Sequence, residues 1–374
     1  MLTSTTFVLL SSAHPFRLFK FESSSSSSSS SSSLNVQPVA DPVVIDPAGI
    51  YIRASPLQNG GIIAGYAALE GTQKILRVSQ SLDNATSWTP LGEVTRANDL
   101  TTDLDNAMPL QLPSGRIVLA FRNHDRGSDP ESYTHYRISL CYSDDGGKSW
   151  GFLSQIVERE ADLSGRKNGL WEPFLRLAKD GSLQCFYSSE NDDNDQDNFV
   201  VVSKDGGVTW SSDDPVLVSG GESTDTRDGM TGVAEVDGKG TLICVFESVH
   251  KGIFSIHRTL SHNDGLTWGE RSLVYTAANG KDAGAPQVYN VGGTLVTSFM
   301  TNEELDLPQL DGGQMKVVTS INGAADWSSM SQDGTVTGGV GSHWPGLYTL
   351  DDRRFLALYS KAGIGAVSRV YRIA

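Results

Sequence analysis

Cysteine, positive charge and long apolar runs are all scarce in this chain. There are three cysteines in 374 residues, Cys141, Cys185 and Cys244, and none has metal-ligand spacing. That leaves no disulfide framework and no zinc centre, and the plain reading is small buried hydrophobes. Cys185 and Cys244 occupy similar places in successive repeats, so one bridge between them stays open. Lys and Arg number 29 against 44 Asp and Glu, a formal net charge of -15. Such a field disfavours nucleic acid and anionic membranes as partners and suits a neutral or cationic ligand. No stretch approaches the ~20 apolar residues of a membrane span. No long segment carries helical periodicity, which leaves the β-strand as the main element.

What is present is glycine, 39 residues of it, between short runs of Val, Ile, Thr and aromatics. Turns and short strands are the expected result. One short pattern recurs five times. It reads Ser81-x-Asp83-x-Ala85-x-Ser87-Trp88, Ser143-x-Asp145-x-Gly147-x-Ser149-Trp150, Ser203-x-Asp205-x-Gly207-x-Thr209-Trp210, Ser261-x-Asn263-x-Gly265-x-Thr267-Trp268 and a degenerate Ser320-x-Asn322-x-Ala324-x-Asp326-Trp327. The intervals between starting serines are 62, 60, 58 and 59 residues. A fixed period of this size means a repeat architecture. The pattern is the Asp box, a turn of sialidase-type β-propellers. The Asp or Asn accepts backbone N–H groups across the turn. The Gly tolerates positive φ, and the Trp anchors the turn in apolar packing. Calcium on these aspartates would need more carboxylates per turn than the box supplies.

Upstream of each box lie two apolar runs joined by a tight polar turn, the mark of a β-hairpin. The pairs span residues 51–57 and 62–66, 106–112 and 117–122, 171–177 and 183–187, 230–236 and 242–247, 284–291 and 295–300, and 343–350 and 355–359. The segment around 39–44 is placed to complete the last group. The expectation is an all-β, six-bladed propeller of four-stranded blades over residues 38–374. Length alone suggests two domains, but a propeller of this length is one. Residues 1–37 form a separate leader in which 23–33 are eleven consecutive serines, read as a disordered linker. The apolar centre at 7–10 is short for a signal peptide and lacks a basic start. The expected location is extracellular despite that atypical N-terminus, and the expected state is a monomer. The one glycosylation sequon, Asn84-Ala85-Thr86, sits at an exposed turn.

Function is expected at the axis, where the innermost strands converge. Aligning the hairpins gives a column at the end of each second strand: Tyr66, Arg122, Tyr187, Glu247, Met300 and Tyr359. Strand alternation points these side chains to one side. Glu247 is a carboxylate at the end of the apolar run Cys244-Val-Phe-Glu247, and Glu172 precedes another in Trp171-Glu172-Pro173-Phe174. Two carboxylates from neighbouring blades are what glycoside hydrolysis needs. Five of the seven tryptophans belong to Asp boxes; Trp171 and Trp344 do not, and both open inner strands. Their flat faces could stack on sugar rings or simply pack near the axis.

These residues carry a family resemblance. The stretches Asn106-Ala-Met-Pro-Leu-Gln-Leu-Pro-Ser-Gly-Arg116, Ala120-Phe-Arg-Asn-His124, Trp171-Glu-Pro-Phe-Leu-Arg176, Arg227-Asp-Gly-Met-Thr-Gly232, Val245-Phe-Glu-Ser248 and Gly284-Ala-Pro-Gln287 resemble glycoside hydrolase family 93, the fungal exo-α-1,5-L-arabinanases. The resemblance implies release of arabinobiose from the non-reducing end of linear arabinan by a retaining mechanism. It implies Glu172 as acid/base and Glu247 as nucleophile, about 5–5.5 Å apart. It needs no metal or organic cofactor. Arg122, Asn123, His124, Arg227, Asp228 and Gln287 are expected to bind hydroxyls, with Asn106, Tyr187, Trp344 and Tyr359 beside them. The sixth blade matches the family less well than the middle of the chain.

Two other readings stay open. Sialidases share the fold, clamp a carboxylate with three arginines and pair Tyr with Glu. Tyr51-Ile52-Arg53 resembles their first-blade motif, and Glu247 with Tyr359 could stand for the pair. However, the inner strands of the last two blades carry no arginine, so the guanidinium clamp is incomplete. The other reading is a propeller that binds carbohydrate without turning it over.

Overall fold

The computed structural model describes residues 34–129, 132–221, 226–321 and 335–374. The leader up to residue 33 and the fifth Asp box from Asn322 onward lie outside the described residues. Almost every described element is a β-strand, and the arrangement is propeller-like. All six expected hairpins are present, with inner strands at Gly49–Pro56, Thr102–Gln111, Leu170–Leu177, Arg227–Glu235, Ala283–Val291 and Ser342–Thr349. Each of these packs against the next, and the last packs against the first, which closes a ring.

Hydrogen bonding divides the described strands into five sheets rather than six. Three have four strands, one has five and one has eight. The eight-stranded sheet holds two antiparallel units joined by a single parallel pairing, Gln196 with Arg227. In the five-stranded sheet, Val36–Pro38 and Val43–Asp46 both pair with the C-terminal strand Gly365–Ile373. The N-terminal segment therefore completes the last sheet, as its position in the chain suggests.

Burial explains the composition of the strands. Second strands are sandwiched on both faces, so Leu183–Glu190 is buried along its whole length and its sequence is nearly all apolar or small. Outer strands such as Thr89–Asn98 have few buried positions and carry the polar residues. The apolar clusters lie between neighbouring sheets; one runs from Met108 through Phe186 to Phe246.

The Asp boxes fold as their chemistry dictates. In the second, Gly147 N–H donates to Ser143 Oγ at 2.8 Å and Ser149 N–H to Asp145 Oδ1 at 3.0 Å. Gly147 has φ 95°, and the Trp150 indole donates to its carbonyl at 2.9 Å. In the first box Ala85 takes φ 64°, and Trp88 donates instead to Ser368 Oγ in the closing sheet. All three cysteines are buried and free, so the bridge left open between Cys185 and Cys244 is not formed.

One irregularity recurs in all six inner strands. The register slips between Ile50 and Arg53, Asp105 and Met108, Trp171 and Phe174, Gly229 and Gly232, Gly284 and Gln287, and His343 and Gly346. Each slip is a bulge with one residue at positive φ: Tyr51, Asn106, Glu172, Met230, Ala285 and Trp344. Bulges re-aim side chains next to functional sites. Tyr51, Met230 and Ala285 form one apolar cluster with Met300, and Trp344 and Leu310 pack against it.

Candidate active site

Glu172 occupies the bulge of the third inner strand, at φ 41°. Glu247 lies on the second strand of the next unit, Leu242–His250, opposite Gly229. Both line one cleft of about 210 Å³, together with Trp171, Glu190, Gln196, Arg227, Val249 and Phe254. Glu247 Oε2 accepts the Ala285 N–H at 2.7 Å. Two glycines leave room for the side chains of the cleft. A Cβ on Gly284 would lie 2.8 Å from Glu247 Oε2, and one on Gly229 would lie 2.7 Å from Gln196 Nε2.

The environment moves both carboxyls far from the ordinary range. Burial, and then the neighbouring Glu247 charge, pushes Glu172 up to about 8, while the Arg122 cation pulls the other way. Burial pushes Glu247 up to about 7, opposed by the Ala285 amide and Arg227, both of which favour its ionised form. Glu172 is raised further than Glu247, so as pH rises Glu247 ionises first and Glu172 keeps its proton longer. An acid and an anion in one partly dry cleft can protonate a leaving group and attack or activate at the other side.

The other expected site residues divide into three groups. Trp171 and Arg227 line the cleft. Arg122, Asn106, Arg53 and Trp344 stand around the ring without lining that cleft. Arg122 pairs with Asp103 at 3.0 Å and lies over the Trp171 ring at 5.3 Å. The Asn106 side chain lies beside the Tyr51 hydroxyl. Arg53 stacks on the Tyr51 ring at 4.1 Å and donates to the Trp344 carbonyl at 3.2 Å. Trp344 lines a second cavity with His343, Ser360 and Lys361.

The third group does not line the cleft. Tyr187 and Tyr359 are buried in apolar clusters, Tyr187 stacked on Phe199. The ladders show why. The residue facing each bulge is Tyr66, Phe121, Tyr187, Phe246, Phe299 or Tyr359, all aromatic and all buried. Arg122, Glu247 and Met300 sit one residue further along. The expected column mixed two faces, since a slip of one residue turns a side chain to the other side of a strand. Asp228 is fully buried in an ion pair with Arg271, on the face opposite its neighbour's partner Glu247. His124 is fully buried against Tyr133, Tyr136 and Trp171, and burial followed by the Arg122 cation holds it down at about 2, so it is neutral. Its ring packs edge-on against the Trp171 indole at 5.1 Å. Gln287 is buried and donates to the Thr231 carbonyl at 3.3 Å; Asn123 donates to Ser139 Oγ at 3.1 Å.

Sequence reasoning missed Glu190, Gln196 and Tyr51. Glu190 closes its strand after Ser188 and Ser189 rather than after an apolar run, so the signal that marked Glu247 is absent there. The bulge column was marked by a following proline in three of six strands, after Glu172, Ala285 and Trp344.

Comparison with known proteins places this geometry in context. No curated protein matches the chain. Among solved structures, an α-L-arabinanase of Penicillium chrysogenum complexed with arabinobiose superposes with TM-score 0.63 at 20% identity, over 91% of this chain and 98% of that one. A GH93 α-L-arabinofuranosidase of Fusarium graminearum with arabinobiose gives 0.63 at 18%, over 91% and 97%. A Hadza microbial sialidase gives 0.59 at 16%, over 87% of this chain and 66% of that one. At these identities the likeness is one of fold. The profile of the BNR repeat-like domain matches residues 64–332, well over half of the chain. The Asp boxes, the ring of bulged inner strands and this match agree: the chain belongs to the BNR repeat-like domain family.

Proposed function

We propose that the chain is a six-bladed, exo-acting glycosidase that cleaves linear α-1,5-linked L-arabinan from its non-reducing end, releasing arabinobiose with retention. The observation that carries this reading is the pair Glu172 and Glu247 in one cleft, with Glu172 keeping its proton to higher pH than Glu247. The ring of six bulged inner strands supports the blade count, the eight-stranded sheet being two blades joined by one pairing. The arabinobiose complexes of two proteins of similar fold favour this sugar.

In this mechanism Glu172 gives its proton to the departing glycosidic oxygen while Glu247 attacks the anomeric carbon. The Ala285 amide bond to Oε2 orients Glu247 and leaves Oε1 for the attack. Glu172, now a carboxylate, then takes a proton from the water that hydrolyses the glycosyl-enzyme. Trp171 offers its face to the sugar. A carboxylate-clamping arginine triad is poorly supported, because Arg122 and Arg227 are committed to Asp103 and Glu190.

The test is incubation of the purified protein with linear α-1,5-arabinan, with products separated by chromatography. Arabinobiose is expected alone and early, and Glu172→Gln and Glu247→Gln should each reduce kcat by about 10²–10⁴-fold while oligosaccharide binding persists. Near-normal turnover in either variant defeats the site assignment. Turnover of a sialoside in place of arabinan transfers the reading to the sialidases.

A further inference from the structure

The two carboxylates of the cleft come from different four-stranded units. Elsewhere among the described residues, neighbouring sheets meet through packing and share no ladder. At this one junction a ladder crosses, and it crosses at Gln196 and Arg227, both of which line the cleft.

Arg227 is held by four acceptors. Nη2 donates to Glu190 Oε1 at 2.6 Å and to Gln196 Oε1 at 3.0 Å, and Nη1 donates to the carbonyls of Asp192 and Asp193 at 3.2 Å each. Glu190 is 5% exposed, and its other oxygen accepts the Gly169 N–H at 3.0 Å, three residues before Glu172. Gln196 Nε2 donates to the Asp228 carbonyl at 2.8 Å, one residue before Gly229, which pairs with Glu247. A continuous path of bonds thus joins the backbone beside one carboxylate to the backbone beside the other. A guanidinium with its donors so engaged has little left for a substrate hydroxyl.

We infer that Arg227, Glu190 and Gln196 form a positioning clamp that fixes the spacing and orientation of Glu172 and Glu247 across the junction. The inference rests on reading that pair as the acid/base and the nucleophile. The clamp also carries charge. Glu172 is faced by Glu247, Glu190, Arg122 and Arg227, whereas Arg227 is the charged side chain acting on Glu247 beside the Ala285 amide. Removing Arg227 should therefore raise both carboxyls, whereas removing Glu190 should lower Glu172.

The experiment is a carbon-13 titration of the glutamate carboxyls in the full chain, set beside the pH profile of kcat/KM on linear arabino-oligosaccharides. Arg227→Gln is expected to raise the Glu247 titration by about one pH unit and to lower kcat at least tenfold with little change in KM. Glu190→Gln is expected to lower the Glu172 titration. Gln196→Ala keeps both charges and is expected to lower kcat while leaving both titrations near their original positions. If Arg227→Gln fails to fold, Arg227→Lys serves in its place: it keeps the charge, cannot serve four acceptors, and should lose kcat. Folded variants with unmoved titrations and unmoved kcat overturn the clamp. The titration does not need turnover, so a wild-type protein inert on every sugar would sink the glycosidase reading while the clamp was still decided.

Discussion

Glu172 and Glu247 share a cleft but not an electrostatic setting, and the difference makes a signed prediction about pH. Glu247 must be ionised to attack and Glu172 protonated to donate, so kcat/KM should follow a bell with its limbs near about 7 and about 8. A profile centred near pH 4 to 5 would mean that both carboxyls titrate like solvent-exposed acids. Stability gives an independent check on Glu172. Its folded value, about 8, lies above its ordinary 4.5, so between those limits the folded chain holds a proton that the unfolded chain has lost. Stability is therefore fully present below pH 4.5 and falls as pH rises towards 8. Glu172→Gln removes that titration. The variant and wild-type melting curves should coincide near pH 4, and the variant should melt higher at pH 9, by about 1–2 °C for each kcal/mol the charged carboxylate costs. Equal Tm at both pH values would show that Glu172 is not desolvated.

At the scale of the strand, the bulge decides which side chains reach the axis. Each inner strand gains a residue, so the face that packs and the face that opens inward exchange places beyond it. The aromatic opposite each bulge fills the space this creates, which is why that column is Tyr or Phe in all six strands. Tyr187→Phe should therefore leave KM and kcat unchanged, whereas Tyr187→Ala should cost about 3–5 kcal/mol of stability by leaving a cavity. A rise in KM for the phenylalanine variant, measured on arabino-oligosaccharides, would return Tyr187 to the site. Hairpins, turns and both glutamates were legible in the chain because each rests on a local signal: alternation, a Gly or Asp at the turn, a carboxylate ending an apolar run. The register of the column was not, since a bulge inserts one residue without any mark in the hydrophobic pattern. The roles of Glu190 and Gln196 were equally hidden. They arise from bonds to Arg227, more than thirty residues away and on the neighbouring unit, and no periodicity encodes that contact.

At the scale of the molecule, one seam differs from the rest. The inner strands form a closed ring in which most neighbours are held by packing, yet the two ends of the described chain meet inside a single sheet. There Val36–Pro38 and Val43–Asp46 cover the C-terminal strand and supply backbone partners it would otherwise lack. Ile45 anchors the second of these segments. It is buried with Tyr66, Leu356, Leu358 and Ala366, so it ties the N-terminal segment to both the first and the last sheets. Ile45→Ala should cost about 2–4 kcal/mol. That loss should not spread evenly. Opening the seam breaks two short pairings, whereas opening any interior junction exposes the sandwiched faces of second strands, which are buried and largely apolar. Local opening follows the smallest buried surface, so in this variant the amides of Gly365–Ile373 should exchange with solvent well before those of Leu183–Glu190. The cleft lies on the third and fourth units, and turnover at low temperature should survive. If both strands exchange at the same rate in the variant, the ring opens as one cooperative body and the seam is no weaker than its other joints.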